Sequence, residues 1–118
     1  MNRDALIRAT LIGLVLQLAM VIFGHVVPGF RDPGFALGGT GFSFVAGLLY
    51  ERQARQDWGP AMLGGAIAGG LCGLLGIAVS VVLGDVPPSL LVFGTLGSVV
   101  AGAAGGLLGR LVAGPARA

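Results

Sequence analysis

Lysine is absent from these 118 residues, and asparagine occurs once, as Asn2. Charged residues make up only 10% of the chain, and all seven basic ones are arginine. The pI near 9.5 therefore reflects a few surplus arginines in a chain where almost nothing else titrates; the formal net charge is +2. Those arginines are scattered between apolar runs rather than gathered on one face, which excludes the basic footprint of a nucleic-acid partner. A single cysteine, Cys72, cannot close an internal disulfide, and no ligand cluster surrounds it in sequence, which excludes a redox framework or a zinc site. Phosphate loops, nucleophile–base pairs and paired carboxylates are missing as well. The glycine-rich strings match fragments of nucleotide-binding fingerprints, but no strand precedes them. The expectation is a protein that is no enzyme, with no catalytic or metal-binding residues and no cofactor. Acids are also missing from the apolar runs, which removes the usual intramembrane proton relay.

What is present is apolar sequence, 55% of the chain, together with 23 glycines. Four stretches predict membrane spans, because lipid leaves no partner for a free backbone group and such runs satisfy theirs as helices. They run from about Ala5 to Val27, Phe35 to Tyr50, Ala61 to Leu83 and Ser89 to Val112. The second is short and is expected to continue as helix past the lipid boundary, with Glu51 and Arg55 as an i,i+4 pair. Asp57 and Pro60 predict a capped restart. Arg3 and Arg8 precede the first run, but no small-residue cleavage site and polar mature domain follow it, so a retained helix is expected rather than a signal peptide.

The fold class predicted is an all-α membrane protein of four transmembrane helices in one domain, residues 1–118. Six arginines (Arg3, Arg8, Arg52, Arg55, Arg110 and Arg117) fall on one side and Arg31 alone on the other. By the positive-inside rule both termini are cytoplasmic, with Tyr50 and Trp58 as interfacial aromatics beside the cytoplasmic loop. The arginine, alanine and glycine load points to a GC-rich bacterial genome and hence to the bacterial inner membrane.

Two repeated hairpins are also expected, residues 5–50 and 61–112. A shift of sixty aligns Leu11, Gly13, Leu14, Val21, Gly24, Val26 and Pro28 with Leu71, Gly73, Leu74, Val81, Gly84, Val86 and Pro88. A shift of fifty-five makes six of nine positions identical between 39–47 and 94–102. Both halves enter from the same side, so such a repeat is parallel, about an axis along the membrane normal.

Small residues recur every four positions, on one helix face. The second run carries Gly39, Ser43 and Gly47. The third carries Ala61, Gly65, Gly69 and Gly73, with a second row through Gly64, Ala68, Cys72, Gly76, Ser80 and Gly84. The fourth carries Gly94, Ser98, Gly102 and Gly106, with a second row through Gly97, Ala101, Gly105, Gly109 and Ala113. Such rows let backbones meet, gaining dispersion contacts and weak Cα–H···O bonds. Gly39, Gly47, Gly65, Gly69, Gly73, Gly94, Gly102 and Gly106 are the expected packing positions. Two readings stay open: packing within the chain, or a remaining glycine surface that joins a second copy or a larger membrane complex. The first run, with one small row ending at Gln17, is expected to have more lipid contact than the others.

Three polar residues stand out. Gln17, deep in the first run, either lines a solute path or hydrogen-bonds a neighbouring helix through Ser43, Ser98 or Thr95. His25 and Asp85 occupy matching positions in the two halves, and are either solvated loop residues or a pH-responsive pair. Arg8 is expected to snorkel and pair with Asp4. In length and span count the chain is similar to small multidrug transporters and fluoride channels. The first family depends on an intramembrane glutamate where this chain has Gln17, which cannot cycle a proton. The second has an embedded asparagine, and Gly41-Phe42-Ser43-Phe44 is a partial echo of its Phe/Ser/Thr track. No function is carried over from either. The expected function is a small membrane protein that self-associates or serves as an accessory subunit through its glycine faces, or else an oligomeric channel or carrier for a small solute.

Overall fold

The computed structural model describes residues 3–55 and 57–113, without the side chains of 31–33, 36 and 113. Asn2 and Arg117 lie outside that set, as does the side chain of Arg31. Four long helices follow one another: α1 (Arg3–Val26), α2 (Arg31–Ala54), α3 (Trp58–Val82) and α4 (Leu90–Ala113), with a 3-10 turn at Pro28–Phe30 before α2. At 24 or 25 residues and about 1.5 Å per residue, each is long enough for a hydrocarbon layer of roughly 30 Å. The bundle measures 48 × 21 × 21 Å. α1, α3 and α4 are long and apolar enough to cross a membrane; α2 falls short of the same standard, because five glycines, Thr40, Ser43 and a charge at either end dilute its apolar residues.

Two boundaries differ from expectation for local reasons. α2 begins at Arg31 rather than Phe35, since Pro33 sits in the first turn, where a helical N–H has no partner to lose. It ends at Ala54; Arg55 adopts the left-handed conformation (φ 51°) and its N–H donates to the Glu51 carbonyl at 2.7 Å. Glu51 and Arg55 are therefore not successive turns of a solvated helix, and Glu51 is fully buried. Asp57 holds the N-cap of α3 in extended backbone, yet its carboxylate makes no capping hydrogen bond. α3 closes in a Schellman turn: Gly84 (φ 78°) donates to Val81 and Asp85 to Ser80, both at 3.0 Å.

α2, α3 and α4 pack as a triangle, and α1 lies in the groove between α2 and α3, without touching α4 among the described residues. A twofold-related pair of hairpins would bring α4 onto α1 as α2 is brought onto α3, so the bundle lacks that symmetry. The matched glycines differ too: Gly24 is helical and packs under the Phe35 ring, whereas Gly84 caps a helix.

The glycines set the closeness of the triangle at the end that carries the α2–α3 turn, called here the closed end. A methyl on Gly102 would overlap the Gly65 carbonyl oxygen, one on Gly106 the Ala61 carbonyl, and one on Gly105 the Phe44 carbonyl. Gly47 faces Gly102, Gly69 faces Gly102 and Ser43, and Gly109 faces Glu51. Gly102 and Gly106 of α4 thus meet α3 and also Gly47 of α2, while Gly105 and Gly109 meet α2. α3 divides its rows the same way: Gly65 and Gly69 meet α4, while Gly64 receives the Tyr50 ring and Gly76 the Gln17 side chain. α1 presents a single buried row, Ala5, Ala9, Gly13, Gln17, Val21 and Gly24. Its apolar stretch is nonetheless no less buried than that of α4, 28% for each against 44% for α3. α1 and α4 therefore share the periphery, where α1 alone was expected there.

Candidate functional site

At the other end, which carries the 3-10 turn and the α3–α4 connection, the helices spread and leave a cavity of about 380 Å³. The cause is steric. Below Ser43 and Ser98 the helices meet glycine to glycine; above them bulky residues intervene. Met20 lies over Gly38, and Ile77 packs against Gly94 at 2.5 Å from its Cβ position. α1 and α4, which make no contact among the described residues, form opposite walls; Gln17, Met20, Ile77, Leu90 and Phe93 are among the lining residues. Among the described residues, no lining side chain carries a formal charge.

Gln17 forms part of the floor. It is only 2% exposed, and its amide nitrogen donates to the Gly39 carbonyl at 3.0 Å and the Ser43 hydroxyl at 3.1 Å, with Cys72 Sγ at 3.9 Å. One amide therefore joins α1, α2 and α3. Its partners come from α2, not α4: the Ser98 hydroxyl donates back to Gly94 at 2.9 Å, and buried Thr95 Oγ1 has no hydrogen bond among the described residues. Gln17 Oε1 lies about 3.5 Å from where a Cβ on Gly76, and 3.6 Å from where one on Gly39, would stand. Both glycines belong to the cavity wall, so missing side chains leave this oxygen open to the cavity. No donor among the described residues reaches it. Ser80, also 2% exposed, lines the same cavity.

His25 and Asp85 meet at the open end, Nδ1 lying 2.9 Å from Oδ2 and 3.1 Å from Oδ1. The Asp85 side chain is 4% exposed and that of His25 49%. The Schellman turn at Gly84 delivers Asp85 to this position, and the contact ties the end of α1 to the α3–α4 connection beside Val86, a cavity-lining residue.

The eight glycines singled out for packing divide between the two ends. Gly39, Gly73 and Gly94 line the cavity, and Gly47, Gly65, Gly69, Gly102 and Gly106 lie in the tight contact beneath it. Ser80 escapes a reading of the sequence because it sits in a row of small residues and counts there for size, not for its hydroxyl. Tyr50, expected at the interface, is fully buried under Gly64, while Trp58 is exposed with Arg110 stacked 5.1 Å over its ring. Arg8 and Asp4 are both exposed and form no ion pair among the described residues.

No family model, curated protein or solved structure matches this chain.

Proposed function

We propose that this chain spans a bacterial inner membrane four times, with both termini in the cytoplasm, and binds a small solute in a cavity open toward the outer face, as a carrier or channel subunit does. α2 lies against all three apolar helices, which supports its crossing the membrane with them. The arginine distribution supports the orientation. One observation carries the solute reading: three buried polar side chains, Gln17, Ser80 and Ser98, line a cavity without formal charge in an otherwise close-packed bundle. Sites of this kind, mostly apolar with a few convergent polar groups, are the ordinary form of small-molecule pockets. The accessory-subunit reading has less support, because the glycine rows of α3 and of α4 mostly meet neighbours within the chain, and Gly97, which does not, lines the cavity. Self-association then rests on the apolar outer surface, including Leu11, Val15 and Leu96.

Thiol labelling tests access and orientation together. A Cβ at Gly97, a lining residue, meets nothing within 4 Å, so Gly97→Cys in a Cys72→Ala background fits without strain. A membrane-impermeant maleimide added to intact spheroplasts should label it, since maleimides need water and a thiolate. Labelling only after permeabilisation reverses the orientation. No labelling in either condition makes the cavity a lipid-filled crevice and removes the solute reading.

A further inference from the structure

We propose that the cavity selects neutral amphiphiles that carry at least one hydrogen-bond donor on a compact apolar body, and discriminates against otherwise similar molecules that can only accept. This rests on the solute reading above and narrows it to a chemical class. The selection follows from what the polar atoms of the wall have left to offer. Gln17 spends its amide protons on Gly39 and Ser43, so the group it turns to the cavity is the acceptor Oε1. Ser98 spends its proton on the Gly94 carbonyl, which leaves its oxygen as an acceptor as well. The Ser80 hydroxyl, and that of Thr40 at the exposed edge of the wall, accept or donate. The floor is therefore acceptor-rich, and a guest that brings an O–H or N–H satisfies it, whereas an ether or ester sets lone pair against lone pair.

Charge is decided by the same residues. The described lining carries no carboxylate or cation, and the ionisable pair at the open end, His25 with Asp85, meets at 2.9 Å. A charged guest would lose its hydration with no counter-charge in return, a cost that a single amide oxygen does not offset. The body is set by Met20, Val21, Phe35, Ile77, Leu90 and Phe93, a flexible thioether and large apolar groups that suit a ring or short branched chain. Specificity is strong for this geometry because a guest without a donor leaves a buried oxygen unpaired.

Benzyl alcohol and benzyl methyl ether share a ring and differ in the donor. Both partition into lipid, so binding must be read at the cavity itself. The methyl group of Met20 lines it, while Met62, 46% exposed on the far part of α3, reports the surrounding bilayer. With the wild-type chain labelled at methionine methyls with carbon-13 in nanodiscs, benzyl alcohol should shift the Met20 signal and saturate it at roughly tenfold lower bilayer concentration than benzyl methyl ether. Met62 should drift equally with both. Gln17→Leu should abolish the difference and Ser80→Ala should reduce it; the two-probe comparison on the wild type stands whether or not the leucine variant folds. Equal saturation by the two probes overturns donor selection and leaves the cavity reading intact. If the Gly97→Cys thiol is labelled but neither probe shifts Met20 beyond Met62, the ligand class is wrong. If that thiol is also unreactive, the solute reading falls with it.

Discussion

Gln17 is the residue on which local structure and proposed chemistry meet. Its amide nitrogen holds three helices in register and its oxygen faces the cavity, so a single substitution tests both. Gln17→Leu removes the bonds to Gly39 and Ser43 while adding apolar bulk over the Gly76 position, which already has Gln17 Cβ at 3.0 Å. Interhelical hydrogen bonds in membranes are worth about 0.5–2 kcal/mol, and a destabilisation of roughly that size is expected. Cys72 supplies the measurement: it is a free thiol with no exposed surface, so a thiol-reactive fluorogenic dye reports unfolding in detergent as the thiol emerges. Ser98→Ala should cost less, because its hydroxyl only bonds back within its own helix. If the serine variant melts earlier than the leucine variant, Gln17 is not the organising contact. The prominence of Gln17 was legible from its isolation in an apolar run. Its partners were not, because Ser43, Ser98 and Thr95 are equally placed in sequence and only the rotation of α2 against α4 selects Ser43. Glu51 was read as solvated for a related reason: a carboxylate at the end of an apolar run ordinarily is, and nothing local announces that Gly109 clears a space for it.

At the scale of the helix, the four-residue glycine rows decide how near the backbones come. Because a methyl on Gly102 would strike the Gly65 carbonyl oxygen, and backbone cannot rotate away as a side chain can, Gly102→Leu should force α3 and α4 apart. The expected result is a large loss of thermal stability in the same dye assay, of the several kcal/mol that overpacking reaches at its upper end. Gly97→Leu, on the same helix but facing open space, should leave the melting temperature nearly unchanged. Leu14→Ile and Leu16→Ile, both half-buried on α1, should also be mild. Equal losses at Gly97 and Gly102 would refute the division between a tight and an open end. The rows and the four long helices were readable from spacing and hydropathy, although only α1, α3 and α4 are apolar enough to cross a membrane. Which row meets which neighbour was not, since period four fixes a face but not the element opposite. The expected repeat shows the same limit: matched residues such as Gly24 and Gly84 do different jobs because one lies inside a helix and the other after its end.

Taken whole, the molecule is a rigid triangle with one applied helix. α2, α3 and α4 interlock backbone to backbone near the closed end, whereas α1 rests on α2 and α3 and, among the described residues, makes no contact with α4. Along its length, α1 is fixed in the middle by Gln17 and at the open end by His25 against Asp85. If the cavity is to admit and release a guest, α1 is the helix whose displacement costs least, and the His25 contact is the tie that opposes it. Removing the tie shifts the population toward wider separations only to the extent that it favoured the narrow one. Spin labels at Phe23 on α1 and Phe93 on α4, both exposed at the open end, read that separation directly. His25→Ala should broaden their distance distribution toward longer values. A second pair at Leu63 and Leu108, exposed on α3 and α4, should keep a narrow distribution in both proteins, because the glycine contacts beneath it are untouched. An unchanged Phe23–Phe93 distance in the alanine variant would mean that Gln17 and the small-residue row alone hold α1. Parallel broadening of both pairs would mean that the four helices loosen as one body, and the closed end would then lose its standing as a fixed base.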